Sequence, residues 1–278
     1  MAIPTVTAAA PLRIPVLLWE GNVVPGRSVR AVARLTSAVA VSYEATCAAL
    51  GKEPCFVTGT PIRDVRELDR LAARVSLDIP ARERVLLIFG GSQSVRRFNA
   101  AVTAALGRLV ERVTVVHVTG DDGYSAALAA REALPEDLRA RYRPFRFLRD
   151  EMLAALAASD LVVGRAGSST LAEVTALGLP MVVVPYPHAA GHQRANAEVL
   201  ERAGAARVIE DSAFDAEALL AAAALLDDAS AHVRMSAAAR ALGRPAAARA
   251  VSELVMALAE GRPLPAQAEV ERRSRGAA

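Results

Sequence analysis

Short, unbroken apolar runs alternate with longer stretches of mixed polarity along most of this chain. Val85-Leu-Leu-Ile-Phe89, Val113-Thr-Val-Val-His-Val118, Leu161-Val-Val163, Met181-Val-Val-Val184 and Ala206-Arg-Val-Ile209 are each a few residues long and rich in β-branched side chains. Runs of this kind predict strands buried on both faces. Phe145-Arg-Phe147 reads as one more short strand. Between them, Phe98–Leu109, Tyr124–Ala133, Met152–Ala158, Thr170–Gly178 and Gln193–Ala203 read as helices. Phe214–Leu226, Ser230–Leu242 and Pro245–Leu258 close the series, the last placed to pack back across the start of the chain. Strand after helix after strand predicts a doubly wound parallel sheet.

The first sixty residues repeat the pattern in shortened form. Ile14–Leu18, Ala38–Ser42 and Cys55–Thr58 predict strands, with a short helix at Arg27–Leu35. A complete nucleotide-type α/β domain carries five or six strands, so this part reads as the end of another such domain. Four segments follow from the pattern: residues 1–62 as that remnant, 80–245 as a whole Rossmann-like domain, 246–261 as a C-terminal helix and 262–278 as a disordered polar tail. Met1–Pro11 is expected to be unstructured. Arg63–Val75 is expected to form a charged amphipathic helix, and Ser76–Arg84 a linker.

The densest chemistry lies in Asp160-Leu-Val-Val-Gly-Arg165-Ala-Gly-Ser-Ser-Thr170-Leu-Ala-Glu173. Strand, small-residue turn and helix start, followed by another strand, make a βαβ unit. Units of this kind bind ligands where strand carboxyl ends meet helix N-termini. Thr170-x-x-Glu173 has two readings: a capping box, or a carboxylate that accepts from ribose hydroxyls. Gly90-Gly-Ser92-Gln93 follows a strand and precedes a helix, so it is either an ordinary turn or a phosphate loop. It is not Gly-x-Gly-x-x-Gly, which argues against a nicotinamide cofactor. His192-Gln193 opens a helix, and a glutamine amide there suits sugar hydroxyls. His188 and His192 lie four apart in a loop without an evident third ligand, so no metal site is expected. His117 and His232 read as structural.

Composition narrows the classes. Net charge is only +3 and aromatics are 4% of the chain, which excludes the basic, base-stacking profile of a nucleic-acid binder. No apolar run reaches the length of a membrane span, and the N-terminus lacks a secretory-signal pattern. Cys47 and Cys55, the only cysteines, match neither zinc nor redox spacing and are expected to be reduced, packed thiols in a cytosolic protein.

Several motifs occur in one order and at consistent spacing: Trp19-Glu-Gly-Asn22, Gly59-Thr-Pro-Ile-Arg63, Gly90-Gly-Ser92-Gln93, Gly164-Arg-Ala-Gly-Ser-Ser-Thr-Leu-Ala-Glu173, Ala176-Leu-Gly-Leu-Pro180 and His192-Gln-x-x-Asn196-Ala197. Together, over about Ile14–Leu258, they resemble the MurG family of bacterial N-acetylglucosaminyltransferases, which convert lipid I to lipid II in peptidoglycan synthesis. The resemblance implies a GT-B fold and an inverting hexosyltransferase that uses UDP-GlcNAc with no cofactor and no metal. It implies a lipid I acceptor and a cytoplasmic protein held peripherally on the inner face of the cell membrane, serving cell wall biogenesis, cell shape and division. It assigns donor contacts to Asn22, Arg63, Ser92, Leu148, Ser169, Thr170, Leu171, Glu173, His192 and Gln193. Of these, Leu148 would lie beside the uracil, Glu173 at the ribose, Ser92 at the diphosphate, Arg63 at the domain junction and Gln193 at the GlcNAc. Trp19 stands where the family has His in its His-Glu-x-Asn motif. No residue is identified as the catalytic base. The glycine-rich N-terminal loop of the family has no counterpart, so either the product is truncated or that part is a separate polypeptide. Two other functions are weighed: a donor-binding subunit, or inert fragment, that needs an N-terminal partner, and a UDP-sugar epimerase.

Overall fold

A computed structural model describes residues 2–91, 96–189 and 191–276. Two parallel sheets organise them. The smaller has the order β1-β2-β3, formed by Leu17–Glu20, Ala38–Val41 and Cys55–Val57. The larger contains β4 (Val85–Phe89), β5 (Thr114–Val118), β6 (Tyr142–Phe145), β7 (Leu161–Gly164), β8 (Met181–Val183) and β9 (Ala206–Val208). Its order is β6-β5-β4-β7-β8-β9, the doubly wound arrangement whose direction reverses between β4 and β7.

Alternation along the strands divides the core of the larger sheet. Val85, Leu87 and Phe89 face one layer with Val162, Val174 and Leu200. Leu86 and Ile88 face the other with Phe98, Val102 and Leu109 of α5 (Arg96–Val110). Those α5 positions fall on one helical stripe, which is why a helix with a polar outer face forms there. In the smaller sheet, Val39 and Val41 pack with Val6, Val32 and Cys55, while Ala38 and Ala40 turn to Ala250 and Leu254. The latter belong to α12 (Ala247–Ala259), which returns to the first sheet as expected. Small alanines on that face let the helix approach closely.

Several expectations are corrected. Residues near the N-terminus form α1 (Ala2–Ala9), because Val6 is buried against the first sheet's outer layer. The helix expected at Arg63–Val75 is confined to α4 (Arg70–Ser76), capped by Asp69, whose side chain accepts from Ala72 N. Arg63 is drawn instead toward the second sheet, as described below. The strand expected at Phe145–Phe147 lies earlier, at Tyr142–Phe145, where buried Tyr142 meets His117. Residues expected to be disordered include α13 (Gln267–Ser274), with Val270 and Ser274 buried and Arg273 paired to Glu253. Gln267 Oε1 there accepts from Val57 N on the outer edge of β3.

Cys47 and Cys55 are joined by a disulfide, which overturns the expectation of free thiols. The reason is local: α3 (Glu44–Leu50) brings Cys47 over the start of β3, with the Cα atoms 5.9 Å apart. Among the described residues, no helix is long and apolar enough to cross a membrane.

Candidate functional site

The reversal point between β4 and β7 opens toward the smaller sheet. Glycine suits the tight end of β7: a Cβ on Gly164 would stand 3.1 Å from the backbone oxygen of Phe89. The chain then turns through Arg165-Ala166-Gly167 into α8 (Ser168–Leu177). Gly167 is the cap residue and contributes no side-chain cap. Thr170 therefore lies inside the helix, and Glu173 is a full turn beyond any capping position. The capping-box reading fails on this geometry. The first intrahelical bond runs from Leu171 N to Gly167 O, so the N–H groups of Ser168, Ser169 and Thr170 precede it and point out of the helix end.

Glu173 points instead at Arg63. Arg63 Nη2 stands 3.5 Å from Glu173 Oε1, and its Nη1 donates to Arg149 O at 3.2 Å. The carboxylate is mostly covered and the arginine about half exposed. Burial raises the Glu173 pKa above the ordinary carboxylate range, against the pull of Arg63. A partly desolvated carboxylate with one exposed partner retains capacity to accept from a ligand.

A polar cluster spans the gap between the two sheets. α9 (His192–Arg202) places His192, Gln193 and Asn196 on one face. Gln193 Oε1 accepts from Ala166 N at 3.2 Å and from Tyr186 N at 2.9 Å. Two donors on one oxygen fix the amide's orientation and leave the NH2 group as what Gln193 offers a ligand. Asn196, fully buried, donates to Asn22 Oδ1 at 3.0 Å and to Ala166 O at 3.3 Å, and accepts from Val23 N at 3.0 Å. His192 Nδ1 donates to Val24 O at 2.9 Å, which leaves Nε2 as the ring nitrogen that could meet a ligand. Glu20 shapes the loop that carries these groups: Oε1 accepts from the backbone and side chain of Asn22, and Oε2 from Gly26 N. Trp19, where the resemblance would place His, donates Nε1–H to Gly59 O at 3.2 Å and so ties β1 to the segment that leaves β3.

On the other side of the reversal point, a cavity of about 370 Å³ lies at the carboxyl ends of β4 and β5. Phe89, Gly91, Val118, Leu148 and Met152 line it, with Asp121 and Asp122 at its polar side. Leu148 thus sits in an apolar recess that could receive a flat ring.

The structure brings Asn22, His192 and Gln193 into one network, and Arg63 and Glu173 into another. Ser169 is exposed and Thr170 half-buried at the start of α8, between the two. The Leu171 side chain is in the core, so its contribution to the helix start is its backbone. Ser92 lies outside the described residues. Asn196 entered the sequence reading only as part of the His192-Gln-x-x-Asn196-Ala197 motif and was given no role, although its spacing from His192 and Gln193 puts all three on one helical face. His117 is a buried core residue, hydrogen-bonded to Tyr142 and held neutral by burial, with its pKa lowered to about 3.

Comparison with known proteins follows this geometry. Residues 85–252 match the model of the glycosyltransferase family 28 C-terminal domain. A UDP-N-acetylglucosamine–N-acetylmuramyl-(pentapeptide) pyrophosphoryl-undecaprenol N-acetylglucosamine transferase from Thermodesulfovibrio yellowstonii is 36% identical over 221 residues, covering 78% of this chain and 59% of that protein. The protein of the same description from Desulforudis audaxviator is 37% identical over 266 residues, covering 92% and 70%. Among solved structures, MurG of Acinetobacter baumannii superposes with a TM-score of 0.71 at 27% identity, over 92% of this chain and 70% of that one. A UDP-N-acetylglucosamine 2-epimerase, so described with reservation, from Listeria monocytogenes gives 0.65 at 16% identity over 94% and 79%, a likeness of fold alone. The chain therefore spans between 59% and 70% of the length of these two curated relatives.

Proposed function

Since this chain belongs to glycosyltransferase family 28, within its MurG-like branch, we propose that it carries the donor site of an inverting transferase. The reaction moves N-acetylglucosamine from UDP-GlcNAc to lipid I, giving lipid II for peptidoglycan. The observation that carries this reading is Glu173: a mostly covered carboxylate one turn into the helix that starts at the reversal point, with no capping duty and one half-exposed partner.

The roles follow from the chemistry of each group. Uracil would lie in the recess at Leu148. Glu173 would accept from the ribose hydroxyls. The first-turn N–H groups of α8 would meet the diphosphate, together with Ser92 as the resemblance assigns. The Gln193 NH2 group, His192 Nε2 and Asn22 would orient the sugar. An acceptor hydroxyl attacks the anomeric carbon from the opposite face. The new C–O bond forms as the bond to the β-phosphate oxygen breaks, and UDP leaves with the electron pair. Fixed N–H dipoles and the helix end would stabilise the charge that develops on the diphosphate. The acceptor's proton passes to a base that we do not assign to any residue here.

The part of the relatives that lies outside the match would, in this reading, hold the acceptor and the inner membrane surface. Two measurements test it. UDP-GlcNAc is titrated into the chain, and transfer to a lipid I analogue is followed for the chain alone and with the remaining part of a MurG-like protein added. Binding by the chain, with transfer only after completion, is the expected result. Absence of UDP-GlcNAc binding, or release of an epimerised sugar without acceptor, would overturn the proposal.

A further inference from the structure

Arg165 is buried and has no role in the scheme above. It lies one residue before Ala166, whose N–H and C=O are both held by side chains of α9. Its guanidinium is 4.8 Å from the ring centre of Phe98 and 5.4 Å from that of Tyr186. Nη1 donates to Val184 O at 3.0 Å and to Pro185 O at 3.3 Å, and pairs with Asp211 Oδ1 at 2.6 Å. Asp211 Oδ2 also pairs with Arg97 Nε at 3.1 Å. One side chain thus joins the turn before α8, the loop after β8 and the first turn of α5.

Such an arrangement is an expensive way to fill space. A buried ion pair is rarely better for stability than an apolar side chain of similar size. What the arginine adds is direction and charge. Its Nη1 meets two carbonyls and a carboxylate while the flat guanidinium lies against two rings, a stacking that a lysine ammonium does not reproduce. Two guanidiniums against one carboxylate leave this cluster with a net positive charge, and Arg165 itself sits in the turn that leads into α8.

We propose that Arg165 is a positioning residue for the donor's diphosphate, holding the first turn of α8 in place and lending it positive potential through the partly neutralised Arg97–Asp211–Arg165 cluster. This rests on the donor-site reading given above. It does not require Arg165 to touch the ligand.

The test separates phosphate from nucleoside. Affinities for UDP and for uridine are measured with the full chain and with Arg165→Met, Arg165→Lys and Asp211→Asn, alongside thermal melting. In Arg165→Met, UDP should weaken at least tenfold while uridine changes less than twofold. Arg165→Lys should lose less, because the charge stays while the stacking on the rings is lost. Asp211→Asn should raise the ratio of UDP to uridine affinity, since it removes the neutralising charge. Equal weakening of both ligands would reduce Arg165 to a structural role, and unchanged UDP affinity would overturn the proposal outright. If Arg165→Met does not fold, a fall in the ratio for Arg165→Lys and a rise for Asp211→Asn are both required. If the unaltered chain binds no UDP, the donor-site reading itself falls and takes this inference with it. If it binds UDP and the ratios do not move, the inference falls alone.

Discussion

Replacing Glu173 tests the donor site most directly. Its carboxylate would accept two hydrogen bonds from neutral ribose hydroxyls, and bonds to a charged group contribute about 1.5–3 kcal/mol. Against this stands the Arg63 pair, which is 3.5 Å long with the arginine about half exposed. A pair of that kind contributes less than about 1 kcal/mol. The ligand term wins, so Glu173→Ala and Glu173→Gln should weaken UDP roughly ten- to a hundredfold. Stability should move the other way or hardly at all, because burial already disfavours the charged form. Protonation gives a second handle. The folded-state pKa is raised, so the folded chain takes up the proton more readily than the unfolded chain. The contribution of Glu173 to stability is therefore fully present below the unfolded value and is lost as pH rises through the folded value. UDP affinity has the opposite dependence: it should fall as the medium is acidified through the raised pKa, and this limb should vanish in Glu173→Gln. Calorimetry against pH, with melting curves on the same samples, supplies both readings. Unchanged UDP affinity in both variants, with a lower melting temperature, would refute the reasoning and return Glu173 to a structural role.

Three further outcomes are expected. Gln193→Leu removes the acceptor shared by Ala166 N and Tyr186 N, so stability should drop by roughly 1–3 kcal/mol in chemical denaturation; an unchanged midpoint would count against the lock. Reducing Cys47–Cys55, or changing both to Ser, releases a cross-link spanning eight positions and should cost about 2–3 kcal/mol by the loop-entropy model, with the melting temperature as readout. Adding EDTA should leave UDP-GlcNAc affinity unaltered; a tenfold loss, about 1.4 kcal/mol, would contradict the assignment of the phosphate contacts to N–H groups.

What could be read from the sequence depended on how local the cause was. β4, β7 and α7 (Met152–Ala158) fell where expected, because continuous apolar runs and a small-residue helix need no distant partner to be recognised. α13 was missed because its sequence is polar; it is stabilised by Val270 under α12 and by ion pairs to Glu253 and Glu269. The disulfide was missed because it depends on α3, a helix of seven residues with little apolar periodicity. At the site, Glu173 was legible as a candidate but its helix start was not. Gly167, rather than Thr170, caps α8, and that shift of register removes the capping-box reading of Glu173. Two of the contacts of Asn196 are with residues more than 170 positions away, which no local spacing argument can supply.

The last helix has an effect out of proportion to its size. On the outer side of β3, Cys55 N donates to Glu53 Oε2 and Val57 N to Gln267 Oε1. Two side chains, rather than a further strand, occupy the donors that a sheet's rim would otherwise present to another molecule. One of those two donors is thus covered by a side chain that lies 210 positions further along the chain. A tag or cut that displaced Gln267 would leave the residues of the candidate donor site untouched and still uncover a backbone donor on the open edge of β3.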